Sequence, residues 1–298
     1  MERSLMFLTT LLLTTTANPV MTRQSLLKQL TQEQLCAKSF KVHNLYYSFT
    51  ESKNVSGIPA DMNVHWKTGN VYYTLISEEM KMSLQVLHNS GEIEAIKVTG
   101  LGQSTAVDNL NDIVYIATDN GVYKYKDDGT VEPYTAQGED VMYLAVTTDG
   151  NTMYIATWPQ NRVHVIFNDG KKQETFPAIP NGHGLTVDMR NNIYFVASKT
   201  SYILKAETTV PIKIKGLPND KMTGIFVSRS DEVFGMDEDS NMFLIDPDNV
   251  SAKFVGAFGV TGVNTFGMDS SDNVFIGVKE AIKRFNALEK SPCDEYVD

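Results

Sequence analysis

The chain lacks clustered basic residues, long hydrophobic runs and the common catalytic motifs. Its formal net charge is −10 and its pI is about 5.0, which argues against nucleic-acid binding because that requires a basic face to neutralise phosphates. An apolar run over residues 5–13 is too short to span a bilayer, and no later stretch is long enough. The sequence contains no G-x-S-x-G, no H-E-x-x-H and no Gly-rich phosphate loop followed by a helix. It therefore predicts a protein that is not an enzyme and that has neither nucleic-acid nor membrane partners.

One hairpin pattern recurs through the chain, and its clearest copy is residues 184–197, GLTVDMRNNIYFVA. Alternating apolar residues lead into polar turn residues, and a second run rich in β-branched and aromatic residues follows. The aromatic residue of this second strand recurs at intervals of 43, 39, 40, 40 and 41 residues, at Tyr72, Tyr115, Tyr154, Tyr194, Phe234 and Phe275. Such a period, with room for four strands per repeat, predicts an all-β fold, a six-bladed β-propeller.

The segment before the first repeat predicts how the ring closes. Residues 38–51 alternate as a strand does, and we expect this strand to join the last blade as its outermost strand and so to cover an exposed edge. Only two cysteines are present, Cys36 and Cys293, and they flank the repeats. This placement predicts a disulfide bond across the closure, with two free thiols as the alternative.

The N-terminal residues predict export from the cell. Residues 1–17 have an Arg near the start, an apolar run and then small residues, which is typical of a signal peptide; the alternative is a disordered N-terminus. The predicted organisation is a signal peptide at 1–17, a leader at 18–37 and the propeller at 38–298. Sequons at Asn54 and Asn249 predict N-glycosylation, which fits a secreted protein.

Counting back about twelve residues from each aromatic position locates the start of each inner strand. These starts, together with the loops after the second strands, predict a ligand site at the mouth of the central channel, where propellers bind ligands. Positions on this face offer thioether, phenol, indole, imidazole and amide groups. The candidate ligand-binding residues are Met142, Tyr143, Trp158, His183, Met222 and Asn264.

Carboxylates are scarce on the same face. Lactonases and esterases built on six-bladed propellers hold a divalent cation with converging carboxylates and amides. Here Asp61, Asn63, Asp140 and Asn264 form only a thin set, so no metal is expected. The acids Asp108, Asp188 and Asp269 fall at the hairpin turns of the opposite end, where they are predicted to cap turns.

Residues 35–77 carry a series of features: a Cys soon after the signal peptide, a strand with a Tyr-Tyr pair, a Pro-containing turn, and a hairpin ending in an aromatic pair. In this series the chain resembles the insect ommochrome-binding proteins, and the repeats and the late Cys293 extend the resemblance along the mature chain. The resemblance implies a secreted haemolymph protein that binds an ommochrome, a planar conjugated pigment with acidic and amino groups. It supplies no residue signature, so the candidate site residues depend on propeller geometry alone.

The sequence thus predicts a secreted, monomeric carrier of a small aromatic pigment, with no cofactor besides that ligand. Two alternatives remain open. One is a metal-dependent lactonase or esterase of the gluconolactonase type. The other is a propeller that binds a protein partner through a loop face.

Overall fold

The computed structural model of the protein describes residues 36–126 and 128–293. The predicted signal peptide and nearly all of the predicted leader lie outside the described residues. Apart from one helical turn at residues 36–38, the regular structure in the described part consists of β-strands. No helix there has the length and apolar character that crossing a membrane requires.

The strands form six antiparallel sheets, of which five have four strands and one has five. The chain begins with the hairpin β1 (Ser39–Val42) and β2 (Leu45–Asn54). Blade I is β3 (Ile58–Val64), β4 (Val71–Ile76), β5 (Met82–Leu87) and β6 (Ile93–Ala95). Blade II is β7 (Gly102–Asp108), β8 (Ile113–Thr118), β9 (Gly121–Tyr125) and β10 (Val131–Thr135). Blade III is β11 (Val141–Val146), β12 (Met153–Thr157), β13 (Arg162–Phe167) and β14 (Lys172–Thr175).

Three further blades complete the ring. Blade IV is β15 (His183–Val187), β16 (Ile193–Ala197), β17 (Thr200–Leu204) and β18 (Ile212–Lys213). Blade V is β19 (Met222–Val227), β20 (Val233–Asp237), β21 (Asn241–Asp246) and β22 (Ser251–Ala257). Blade VI is β23 (Val263–Met268), β24 (Val274–Val278) and β25 (Ala281–Leu288), completed by β2 and β1. The predicted six-bladed β-propeller is confirmed.

The hydrophobic core is divided among the interfaces between neighbouring blades. Among the described residues there are six clusters of buried apolar side chains, and each joins residues of two adjacent blades. Each recurring aromatic residue belongs to or packs against a different cluster: Tyr72, Tyr115, Tyr154, Tyr194, Phe234 and Phe275. The period seen in the sequence is therefore the repeat of one packing position, in which an aromatic ring of the second strand fills the space between two blades.

The ring closes through the N-terminal hairpin. Strand β2 pairs with β25 from Tyr46 opposite Leu288 to Asn54 opposite Ala281, which confirms the predicted closure. The single predicted strand is wrong in one respect, because residues 38–51 form a hairpin and β1 becomes a fifth, outermost strand. The turn between the two strands begins at His43, whose φ of 51° is in the left-handed region, and no glycine or proline marks it.

The predicted disulfide bond joins Cys36 to Cys293, with their Cα atoms 4.9 Å apart. The bridge lies next to the β2–β25 pairing and fastens the two ends of the described chain together. The sequon residues Asn54 and Asn249 are both exposed, and N-glycosylation at these positions stays a prediction.

Candidate functional site

A ring of six β-bulges surrounds the central axis. In every blade the pairing of the innermost strand with the second strand shifts register near the start of the innermost strand. A bulge leaves a residue outside the ladder of backbone hydrogen bonds and turns its side chain away from the regular alternation. Four blades leave one inner-strand residue unpaired, whereas blades I and IV leave two, Asp61 with Met62 and Gly184 with Leu185. The first unpaired residues of the six blades, here called the bulge ring, are Asp61, Gln103, Met142, Gly184, Thr223 and Asn264.

The bulge ring lines a central cavity of about 890 Å³. This volume lies within the range of small-molecule sites, roughly 300–1,000 Å³. The cavity follows the inner strands from their starts, which we call the upper mouth, to the turns after their ends, which we call the lower mouth. The bulge ring lies at the upper mouth, whereas Lys67, Met189 and Arg229 lie at the lower mouth.

Asp61 is the one carboxylate of the bulge ring. Its backbone has φ of 45°, in the left-handed region that few residues other than glycine adopt, and its side chain is half-buried. Its Oδ2 accepts hydrogen bonds from Ser104 Oγ at 2.7 Å and from the Thr105 backbone N–H at 2.9 Å. Removal from water raises the pKa of the Asp61 carboxyl above its ordinary value, and these two hydrogen bonds offset the rise only in part.

Tyr143 and His183 form an aromatic pair in the cavity lining. Their ring centroids are 5.8 Å apart, and the rings are tilted by 35°. Burial lowers the pKa of the His183 imidazole, so the ring is neutral near pH 7. Burial raises the pKa of the Tyr143 phenol, and the negative charge of Asp61 raises it further. The phenol therefore stays protonated and can donate a hydrogen bond, and the charge of the Asp61 carboxylate affects its pKa.

Five of the six predicted ligand-binding residues lie in the cavity lining: Met142, Tyr143, His183, Met222 and Asn264. The sixth, Trp158, does not line the cavity, and its side chain is 56% exposed. Trp158 follows β12 and starts the turn to β13, so it lies one strand further from the axis than the inner strand of its blade. The assignment of Trp158 to the channel site needs this correction.

Sequence reasoning missed the role of Gln103 and understated that of Asp61. Gln103 belongs to the bulge ring, and its Nε2 donates to Asp140 Oδ1 at 2.7 Å, which ties blade II to the segment before blade III. The signal for both residues was their position near the start of an inner strand. Their exact alignment could not be read from the sequence, because an extra unpaired residue changes which side chains face the axis.

The acids at the lower end of the blades behave as predicted. Asp108, Asp188 and Asp269 each accept hydrogen bonds from backbone N–H groups and from an asparagine side chain within the following turn. Their carboxylates are thus occupied in holding the hairpin turns.

The described residues do not fit a bound divalent cation. Within residues 36–126 and 128–293 there is no group of three or more His, Cys, Asp or Glu side chains that could hold a metal ion. Of the four candidate oxygen donors, Asp140 accepts from Gln103 and does not line the cavity, and the amides of Asn63 and Asn264 are oriented by hydrogen bonds from their Nδ2 atoms to the backbone carbonyls of Thr105 and Gly262. Asp61 alone places a carboxylate in the cavity near the upper mouth.

Comparison with known proteins finds similar folds but no similar sequence family. No protein family and no curated protein matches the chain. Solved structures do match. A gluconolactonase of Xanthomonas campestris has a TM-score of 0.64 at 11% identity, covering 83% of this chain and 91% of that one.

Two further structures share the fold. Virginiamycin B lyase of Staphylococcus aureus has a TM-score of 0.54 at 11% identity, covering 81% of this chain and all of that one, 100%. A chain of the nidogen–laminin complex has a TM-score of 0.55 at 15% identity, covering 74% and 92%. At this identity the likeness establishes the architecture alone.

The prediction that the protein is not an enzyme is wrong on these findings. It was inferred from the absence of short catalytic motifs, and the gluconolactonase and the lyase are enzymes of the same architecture. In this fold the cavity is lined from six inner strands that are distant in sequence, so its functional side chains need not form any local motif.

Proposed function

We propose that the protein is secreted and binds a small planar aromatic ligand, of the ommochrome class that the sequence resemblance implies, in the upper part of the central channel. The observation that carries the proposal is the cavity lining near the upper mouth. Blades III, IV and V contribute two thioethers, a phenol and a neutral imidazole to the wall of a cavity of about 890 Å³, and these groups belong to Met142, Met222, Tyr143 and His183.

These groups suit a conjugated ring system. Aromatic rings pack against each other in offset or tilted arrangements, and thioether sulfur makes favourable contacts with ring edges. The Tyr143–His183 pair presents such a tilted surface at 5.8 Å between centroids, and the methionines of blades III and V are flexible enough to follow the outline of a ligand. The disulfide at the closure is in keeping with an oxidising, extracellular location.

Replacement of both thioethers, Met142→Ala with Met222→Ala, should weaken pigment binding by roughly 3- to 150-fold, because each sulfur–aromatic contact contributes about 0.3–1.5 kcal/mol. Purified protein is titrated with an ommochrome, and binding is followed by the visible absorption that stays with the protein after desalting. Met80→Ala is the matched control, because Met80 lies on the loop before β5, is 75% exposed and does not line the cavity.

The wild-type protein and the Met80→Ala variant should bind the pigment equally. Thermal unfolding of all variants is measured alongside, so that a loss of folding is not mistaken for a loss of binding. A wild-type protein that retains no colour would end the proposal, and so would a double variant that binds as the control does.

A second candidate function is supported by the positions of Asp61 and His183 in the cavity lining. Blades I and IV face each other across the axis of a six-bladed ring, so these residues approach a ligand in the channel from opposite sides. Burial raises the pKa of Asp61 and lowers that of His183, which is the arrangement of a general acid opposite a general base. Such a pair would activate water and protonate the leaving oxygen in the hydrolysis of a lactone, the reaction class named for the similar gluconolactonase.

On this second candidate, wild-type protein should hydrolyse glucono-δ-lactone faster than buffer alone. His183→Gln and Asp61→Asn should each lower kcat/KM by about 100-fold or more, since general acid–base groups contribute roughly 10²–10⁴-fold. Acid release is followed with a pH indicator. His88→Gln is the control, because His88 pairs with Glu94 at the turn between β5 and β6, outside the cavity lining. Equal rates for the two histidine variants would exclude this assignment.

A further inference from the structure

Asp61 has an unused hydrogen-bonding atom in the cavity. Both of its hydrogen bonds, from Ser104 and from Thr105, go to Oδ2. Within the described part of the chain, Oδ1 has no hydrogen-bond partner and the carboxylate has no ion pair. A carboxylate that is half-buried without a cation has a desolvation cost, and a ligand that brings a positive charge offsets that cost.

The protein's own cations lie elsewhere in this cavity. Lys67 and Arg229 are the basic side chains among its lining residues, and both follow the ends of their inner strands at the lower mouth. Lys67 Nζ donates to Asp112 Oδ2 there. The upper part of the channel therefore combines one carboxylate with groups that carry no positive charge near pH 7, including the neutral His183.

The walls around this carboxylate are aromatic and polarisable. The phenol of Tyr143 is close enough to Asp61 for the charge of the carboxylate to raise the pKa of the phenol. The ring centroid of His183 lies 5.8 Å from that of Tyr143. Faces of aromatic rings attract ammonium groups, and the attraction grows where water is excluded. A ligand with a positive charge on an aromatic body would meet both features at once.

The backbone conformation at Asp61 indicates that the structure holds this side chain in one defined position. The residue has φ of 45°, while Gly184, the bulge residue of the facing blade IV, has φ of 60°. Glycine meets this conformation without strain, whereas a residue with a side chain has to be held in it. At Asp61 the hydrogen bonds from Ser104 and Thr105 of blade II hold this conformation, and they fix the position of the carboxylate in the channel wall.

We propose that Asp61 is the counter-ion for the ammonium group of an aromatic amine, and that the channel selects cationic aromatic ligands over neutral and anionic ones of the same shape. The inference rests on the proposed binding of an aromatic ligand and adds the charge that the ligand must carry.

Three probes that share one ring test this selection: phenyltrimethylammonium, its neutral isostere tert-butylbenzene and the anion benzenesulfonate. Binding of each to the full mature protein is measured by calorimetry. We expect phenyltrimethylammonium to bind at least tenfold more tightly than either of the other two. Its charge does not titrate, so the comparison does not depend on the protonation of the probe.

Asp61→Asn should abolish the preference and leave the three affinities within about threefold of one another. Asparagine tolerates the left-handed backbone, and its carbonyl oxygen can still accept from Ser104 and Thr105, so the fold is retained while the charge is lost. Asp140→Asn is the matched control, because Asp140 is an acid near the same mouth that accepts from Gln103 and does not line the cavity. This control should keep the full preference.

The possible results distinguish a failure of this inference from a failure of the proposed function. Equal affinity for the three probes, or a preference that survives in Asp61→Asn, overturns the inference. If the pigment binds in that case, the proposed function still stands. Selective binding of phenyltrimethylammonium without any pigment binding supports the inference and rejects the ommochrome class. If neither the probes nor the pigment bind, both proposals fall.

Discussion

Removal of the disulfide bond, by Cys36→Ser with Cys293→Ser or by a reductant, should lower the free energy of unfolding by about 5.5 kcal/mol, as loop-closure entropy predicts for cysteines that are 257 residues apart. The bridge restricts the unfolded chain over almost the whole described length. The measurement is the denaturation midpoint in guanidinium chloride with and without the bond. The change should appear as a shift of the midpoint, with the far-ultraviolet circular dichroism of the folded state unchanged.

The folded state should survive because the closure has a second fastening. Strand β2 remains paired with β25, and the apolar cluster between blades V and VI packs β1 and β2 residues such as Val42 and Tyr47. The reductant supplies its own control, since it should have no effect on the double serine variant. A wild-type midpoint that does not move on reduction would show that the β-pairing alone fixes the ends of the chain.

Asp188→Ala should destabilise the protein by about 3–5 kcal/mol, because each buried donor left without a partner costs about 1–3 kcal/mol and several donors are affected. Asp188 is fully buried. Its Oδ1 accepts from the backbone N–H groups of Arg190 and Asn192, and its Oδ2 accepts from Asn192 Nδ2 at 2.7 Å and from Tyr194 OH at 2.8 Å. The alanine variant leaves these donors without a partner, and Tyr194 lies in the core between blades IV and V.

The corresponding turn of blade III supplies a matched control. Asp149 also accepts from a neighbouring hydroxyl, a backbone N–H and an asparagine amide, but its side chain is exposed. Asp149→Ala should cost less than about 1 kcal/mol, because water replaces the lost hydrogen bonds. Both variants are compared by chemical denaturation. Similar losses for the two would mean that turn geometry, and not the buried network, sets the cost.

The blades could be predicted because one packing requirement recurs. Tyr115, Tyr194 and Phe275 each fill the space between two blades, so their spacing carries the period of the fold into the sequence. The closing hairpin was predicted only as one strand. Its turn at His43 uses a left-handed residue that is neither glycine nor asparagine, and the apolar run Leu45, Tyr46 and Tyr47 obscures the change from even to odd apolar positions across the turn.

The site was predicted less completely than the fold. Counting from the aromatic positions located the starts of the inner strands, which is why Met142, Tyr143 and His183 were found. A bulge displaces one residue out of register and leaves no mark in composition, so Gln103 was missed. Trp158 was assigned to the channel because a loop after a second strand was expected to reach the axis, whereas the turn to β13 lies further out.

The bulge ring also bears on how proteins of this architecture could diverge. Each of its members lies outside the backbone ladder of its blade, so a different side chain there leaves the sheet hydrogen bonds intact. The apolar clusters between blades that stabilise the molecule draw few of their members from these positions. A new ligand specificity can therefore arise through substitutions at one level of the channel, one residue in each blade. The packing between the blades does not have to change.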